Sequence, residues 1–231
     1  MKTKHFFLFI LAAALLLLSA CGDDDDGITI SQTKTFVSVG ANDGIIVNSP
    51  TRIVKDYYPG VQGYSITIGW DGNGSAMRGF LSFDVSSIIP SSDKTLVIDE
   101  ALLRTYESNT NMNPFNASGI RTVNCYLLNY GTLDISDYDR APIADCGVMA
   151  HDGHNVLKEH ALNVTQPLNG FVNDYPDEKH FQFRLQFIPD ENVKPLTALS
   201  SAMWNIFSGD ETGSKVKYCP TLEIKYHYKK K

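Results

Sequence analysis

The chain predicts an all-β protein, a jelly-roll-like antiparallel β-sandwich with at most one short helix. Short segments alternating apolar and polar residues run along most of its length, divided by clusters of Gly, Asn, Asp and Pro. No apolar pattern of period 3.6 extends over a helix of ordinary length. The clearest strand is His180 to Ile188, where Phe181, Phe183, Leu185 and Phe187 share one face and Gln182, Arg184 and Gln186 the other. One face is read as core and the other as wet or polar. The same period-2 reading covers Ile66-Ile68-Trp70, Leu81-Phe83-Val85, Ala101-Leu103-Thr105 and Leu222-Ile224-Tyr226-Tyr228. These faces call for two packed sheets. The only helical candidate is Gln166 to Val172, with Thr165 as N-cap and Pro167 in the first turn.

The N-terminus has a different character. Lys2 and Lys4 precede an apolar run from Phe6 to Leu18 that is too short to span a bilayer as a helix, and Leu18-Ser19-Ala20-Cys21 follows. That sequence resembles the lipobox of bacterial lipoproteins, in which the cysteine thiol is acylated and becomes the first mature residue. The resemblance makes residues 1–20 a lipoprotein signal peptide, Cys21 the lipidation site, 21–32 an acidic linker and 33–231 the sandwich domain. Two or three acyl chains hold a protein stably to a membrane, at about 0.8 kcal/mol per buried CH2. Asp23, Asp24, Asp25 and Asp26 resemble the export tag of surface lipoproteins in the Bacteroidetes, and they also read as a solvated linker. The expected location is the outer membrane, lipid-anchored and facing the cell exterior.

Charge and cysteine usage exclude some partners. Loss of Lys2 and Lys4 from 20 basic residues leaves 18 against 26 acidic ones, a formal charge of −8. Nucleic acid is excluded as a partner, because affinity for phosphates rests on Lys and Arg, and the only basic run is Lys229-Lys230-Lys231. Beyond Cys21 the chain has Cys125, Cys146 and Cys219, so at most one internal disulfide forms and the pairing stays open.

A family resemblance rests on motifs spread from about Thr33 to Tyr228. Arg78-Gly79-Phe80-Leu81-Ser82-Phe83-Asp84-Val85-Ser86-Ser87-Ile88 with Pro90 resembles the "R-x-x-L-x-F-D-x-S-S-I-P" signature of disaggregatase-related, DNRLRE-type β-sandwich domains. Some of these are classed as carbohydrate-binding module family 96. Ala101 to Tyr106, the Asn113-Pro114-Phe115 loop, Leu133 to Asp139, Leu162-Asn163-Val164-Thr165, Gln182 to Phe187, Phe207-Ser208-Gly209-Asp210-Glu211 and Pro220 to Tyr226 match further motifs in the family's order. The resemblance implies the sandwich and a glycan-binding role. The motifs themselves read as architecture: Asp84 and Ser86 bond local backbone, and Pro90 stops ladder pairing.

Candidate sites follow from residue chemistry. Sugar-binding sandwiches stack exposed aromatic planes on sugar faces. Tyr57-Tyr58, in a Pro/Gly-bounded segment, is the first choice, and Trp70 the next, placed either at a sheet edge or over the core. Trp204 reads as inward. Asp134, Asp137 and Asp139 bring three carboxylates into six residues and make structural calcium the candidate metal. Asp71-Gly72-Asn73-Gly74-Ser75 offers oxygen donors or simply a hairpin turn. His151, Asp152 and His154 form a polar cluster short of a zinc set. No G-x-S-x-G elbow or triad context points to a nucleophilic enzyme. The expectation is therefore a non-catalytic, surface-tethered module that binds extracellular glycan, with a structural or adhesion spacer lacking a sugar ligand as the alternative. Its partners would be the membrane, through the lipid, and a polysaccharide or surface protein.

The anchor is directly testable. Cys21→Ala is expected to move the protein out of the membrane fraction on fractionation, since the acyl chains are its strong attachment. Retention of that variant in the membrane would refute the lipobox assignment.

Overall fold

The computed structural model describes residues 30–49, 51–55, 65–71, 74–108, 115, 122–151, 157–188 and 202–231. Twelve strands and one α-helix are found among them: β1 (Gln32–Val37), β2 (Gly44–Asn48), β3 (Arg52–Lys55), β4 (Ser65–Trp70), β5 (Ala76–Asp84), β6 (Lys94–Tyr106), β7 (Thr122–Leu128), β8 (Ala144–Ala150), β9 (Glu159–Asn163), α1 (Thr165–Asp174), β10 (His180–Ile188), β11 (Ala202–Phe207) and β12 (Thr221–Lys230). All the strand pairs are antiparallel. A four-stranded sheet runs β1-β12-β6-β9 and an eight-stranded one β11-β4-β5-β10-β7-β8, with β2 and β3 branching from β5. The fold is thus the expected all-β sandwich with one short helix.

The core lies between the sheets. Leu81 and Phe83 of β5, Cys125 and Leu127 of β7, and Phe181, Phe183, Leu185 and Phe187 of β10 meet Leu96, Ile98, Ala101 and Leu103 of β6 and Leu222 and Ile224 of β12. Phe83 and Phe183 pack edge to face at 6.0 Å. The period-2 reading of β5, β6, β10 and β12 therefore identifies the inward faces.

The other face of β10 departs from the sequence reading. Gln182, Arg184 and Gln186 are buried, not wet. The segment from Asn129 to Ile143 folds back over the outside of the large sheet, and these polar side chains hold it there. Gln182 Oε1 accepts from the Tyr130 and Gly131 amides at 2.7 and 2.9 Å, and its Nε2 donates to the Gly131 carbonyl at 2.8 Å. Arg184 Nη1 donates to the carbonyls of Tyr138 and Arg140 at 3.0 and 2.8 Å. Beneath the segment Ile46, Phe80, Leu128, Tyr130 and Tyr138 form a second apolar cluster. Burying such groups without partners would cost about 1–3 kcal/mol each, and the loop carbonyls and amides offset that cost for the Gln182 amide and for Arg184 Nη1, whereas Gln186 Oε1 is buried without a hydrogen bond.

The helix also differs in its start. Thr165 is its first residue and not its cap: the Thr165 hydroxyl accepts from the Ala101 amide at 2.8 Å, while Asn163 Oδ1 accepts from the Thr165 amide. Asn169, one turn on, pairs both ways with the Ile98 backbone, at 3.1 and 2.7 Å. Strand β9 pairs only with Leu102 to Tyr106, so the helix supplies partners to the stretch of β6 that β9 leaves uncovered. In that stretch the register against β12 slips between Lys225 and Tyr226, a β-bulge that leaves both Asp99 and Glu100 exposed.

Asp43 ties one end of the sandwich. Its carboxylate accepts from the Ser82 amide at 2.8 Å and the Gly209 amide at 3.2 Å, joining β5 to the loop after β11. Position 209 needs glycine, because a Cβ there would stand 2.3 Å from the Ser38 carbonyl oxygen. Burial pushes the Asp43 carboxyl up to about 7, against the pull of those two amides. From its ordinary value of 3.8 up to about 7 the unfolded chain has released this proton and the folded chain still holds it, so stability falls as pH rises through that window. In thermal melts, Asp43→Asn is expected to gain on the parent protein as pH rises from about 4 to about 7 and to gain no more above it. A Tm difference independent of pH would contradict this.

Candidate functional site

The sandwich has two outer faces, and they differ. On the large sheet Arg78 is 3 % exposed and Arg184 5 %, both beneath the Asn129–Ile143 segment. The Tyr138 ring lies between Arg52 and Arg78, whose guanidinium carbons sit 4.8 and 4.1 Å from its centroid. On the small sheet the side chains of Arg104, Glu159 and Glu223 are 31 %, 39 % and 42 % exposed. The open face is the candidate surface.

Its residues follow from strand alternation. Ala101, Leu103 and Thr105 point into the core, so Leu102, Arg104 and Tyr106 point outward from β6. Tyr106 stands opposite Glu159 of β9, and its hydroxyl donates to Glu159 Oε2 at 2.8 Å. Arg104 Nη1 pairs with Glu159 Oε1 at 2.5 Å, and Nη2 reaches Glu223 of β12 at 4.0 Å. The bonds from Tyr106 and Arg104 hold the Glu159 carboxyl below its ordinary range, so it stays ionised at neutral pH. The Tyr106 ring meets Tyr218 edge-on at 5.6 Å, and Tyr218 stacks on Phe207 at 5.4 Å. Lys217 Nζ lies 4.9 Å from the Tyr218 centroid. A half-exposed aromatic platform is thus framed by charged hydrogen-bonding groups.

Further along the same face, the β6 bulge opens a shallow depression of about 370 Å³ lined by Asp99, Glu100, Asn163, Thr165, Gln166 and Lys225. Glu100 and Tyr106 are six residues apart on one strand, roughly 20 Å at the usual rise. Hydroxyl-bearing ligands several rings long match that span.

The residues singled out from sequence fare unevenly. Trp70 is only 8 % exposed, the buried one of the two placements expected for it, and its ring presents little surface on which a sugar could stack. Trp204 is inward as expected, 2 % exposed, with Nε1 donating to the buried Glu107 carboxylate at 3.0 Å, which His160 also contacts at 2.7 Å. Asp134, Asp137 and Asp139 do not converge on a calcium position. Asp134 accepts from the Ser136 amide and Asp137 from the Asp134 amide, a capping box on the 3-10 turn Ile135–Asp139. Asp137 also pairs with Arg140 at 2.6 Å, and Asp139 with Arg52 and Arg78. Among the described residues no group of three or more His, Cys, Asp or Glu is placed to hold a metal ion. Asp71 and Ser75 bond to each other between β4 and β5, the Ser75 amide donating to Asp71 Oδ1 and the Asp71 amide to the Ser75 carbonyl. Cys21, Tyr57, Tyr58, Asp152 and His154 lie outside the described residues.

Sequence reading passed over Tyr106, Arg104 and Glu159. The signal was present, since Tyr106 closes the outward half of an alternating strand, but nothing in one strand shows that its outer face lacks a cover. No protein-family model matches the chain, and no curated protein matches it either. The likeness to DNRLRE-type domains therefore rests on the motifs alone.

Proposed function

We propose that the protein is a non-catalytic, surface-tethered lipoprotein whose sandwich binds extracellular glycan along the outer face of the four-stranded sheet. The observation that carries this reading is the open strip from Tyr106 to Glu100, an aromatic ring framed by Arg104, Glu159 and Glu223 at one end and a polar depression at the other. A sugar ring stacks on an aromatic face through its C–H groups while its hydroxyls bond the flanking charges. Catalysis draws no support from the strip, because a glycosidase acid needs a raised pKa and Glu159 is held low.

Charge sets the preference. Asp99, Glu100, Glu159 and Glu223 outnumber Arg104 and Lys225 on the strip, and the mature chain carries −8, so neutral polysaccharide is favoured over polyanions such as alginate. Affinity belongs in the millimolar to micromolar range, about −4 to −8 kcal/mol.

A second reading, an assembly or spacer module without a sugar ligand, draws on strand β3. Among the described residues β3 pairs only with β2, and its Ile53 and Val54 are 41 % and 38 % exposed, an edge able to accept another strand.

Calorimetry against a panel of neutral and anionic polysaccharides separates the two. Binding to a neutral member is expected, weakened at least about tenfold by Tyr106→Ala, a loss of about 1.4 kcal/mol. Tyr175→Ala, at an exposed tyrosine on α1's end, serves as the unchanged control. Silence across the panel with concentration-dependent self-association would favour the β3 reading, and Tyr106→Ala binding at full strength would remove the strip from consideration.

A further inference from the structure

We propose that Cys125 and Cys146 are a disulfide pair that closes the base of the segment covering the large sheet, leaving Cys219 as the lone thiol. The pairing follows from strand register. Cys125 of β7 stands opposite Gly147 of β8, yet the next residue, Tyr126, stands opposite Asp145. Cys146 is therefore the extra residue of a β-bulge. In a regular ladder it would share the outer face with Tyr126. The bulge, with Gly147 at φ +100°, turns it instead toward the core beside Cys125.

Both side chains are buried in the same core cluster, at 0 % and 9 % exposure, and the neighbouring Cys146 thiol adds to the burial that raises the Cys125 pKa. Cys146 adjoins Gly147, the residue opposite Cys125, and faces the core as Cys125 does, so the two side chains lie side by side on adjacent strands. Cys219 is distant in the fold, 1 % exposed just before β12, where burial raises its thiol pKa. It has neither cysteine beside it. Burial and the neighbouring thiol also hold Cys125 protonated in the folded protein, so oxidation belongs to the folding chain, before the core closes.

The chemistry is thiol–disulfide exchange. One cysteine thiolate attacks a disulfide oxidant such as glutathione disulfide and expels one glutathione thiolate. The second cysteine then attacks the mixed disulfide and expels the other. Two S–H bonds are lost, one S–S bond forms, and the oxidant leaves as two thiols. The closed loop of roughly twenty residues contains the whole Asn129–Ile143 segment, so the bridge restrains in the unfolded chain the part that Gln182 and Arg184 grip in the folded one.

The inference rests on the export reading for the oxidising compartment, and the test keeps the two apart. The full chain is unfolded under reduction, refolded with glutathione disulfide, and mapped by peptide mass spectrometry without reduction. A Cys125–Cys146 linked peptide is expected, with Cys219 alkylatable only after denaturation. Reduction of the bridged protein is expected to lower Tm by about 6–12 °C. Cys219→Ser should form the same bridge, which guards against loss of folding in Cys125→Ala or Cys146→Ala. A bridge to Cys219, stable glutathione adducts on both partners, or free thiols at Cys125, Cys146 and Cys219 alike after refolding would overturn the pairing. Bridged refolded protein alongside thiols in protein taken from the cell envelope would support the pairing and place the fault with export.

Discussion

Strand β10 is buried on both faces, and the remaining architecture is arranged around that constraint. Its Phe181, Phe183, Leu185 and Phe187 fill the space between the sheets, while Gln182 and Arg184 face away from the core and are nonetheless covered. A covered guanidinium or amide is costly unless its donors and acceptors find partners. The Asn129–Ile143 segment supplies backbone partners to the Gln182 amide and to Arg184 Nη1, so one amide and one guanidinium fix the path of a loop with no regular structure beyond a 3-10 turn. Arg52 and Arg78 beside them stack on Tyr138 and pair with Asp139, while Asp137 pairs with Arg140. Carboxylates that looked available for a metal belong to this arrangement.

With one face closed, the other is the surface on which the proposed recognition would occur. The outer side of the four-stranded sheet keeps its charged and aromatic side chains in contact with water, and its bulge at Asp99 and Glu100 is possible because α1 satisfies the neighbouring β6 backbone through Thr165 and Asn169. The helix thus builds the depression rather than merely capping the barrel-like end of the core. Tyr106, at the far end of the same strand, is oriented by Glu159 across the ladder, so under the proposed function its side chain would have little ordering cost to meet on binding.

How much of this could be read from the sequence depends on which property a strand pattern records. Alternation marks two faces, and the inward sets of β5, β6, β10 and β12 were legible for that reason. It does not distinguish a polar face wet with water from one roofed by a distant loop, which is why Gln182 and Arg184 read as solvent-facing. For Trp70 alternation left a sheet edge and a place over the core both open, and the pairing of its strand on both sides goes with the buried one. The spacing of Asp134, Asp137 and Asp139 suggested convergence, yet a single turn of 3-10 helix points them at three different partners. Tyr106 was visible as an outward residue, but only the absence of a covering segment among the described residues makes it a candidate contact.

Amide hydrogen exchange followed by NMR tests the double burial of β10 most directly. In the native protein the Tyr130 and Gly131 amides, bonded to the Gln182 side chain, are expected to be protected although they lie in irregular backbone. Gln182→Leu should release those two amides while the β10 amides of Phe183 and Leu185 stay protected. Free exchange of Tyr130 and Gly131 in the unaltered protein would mean the large sheet is open, and the division into a closed and an open face would fall.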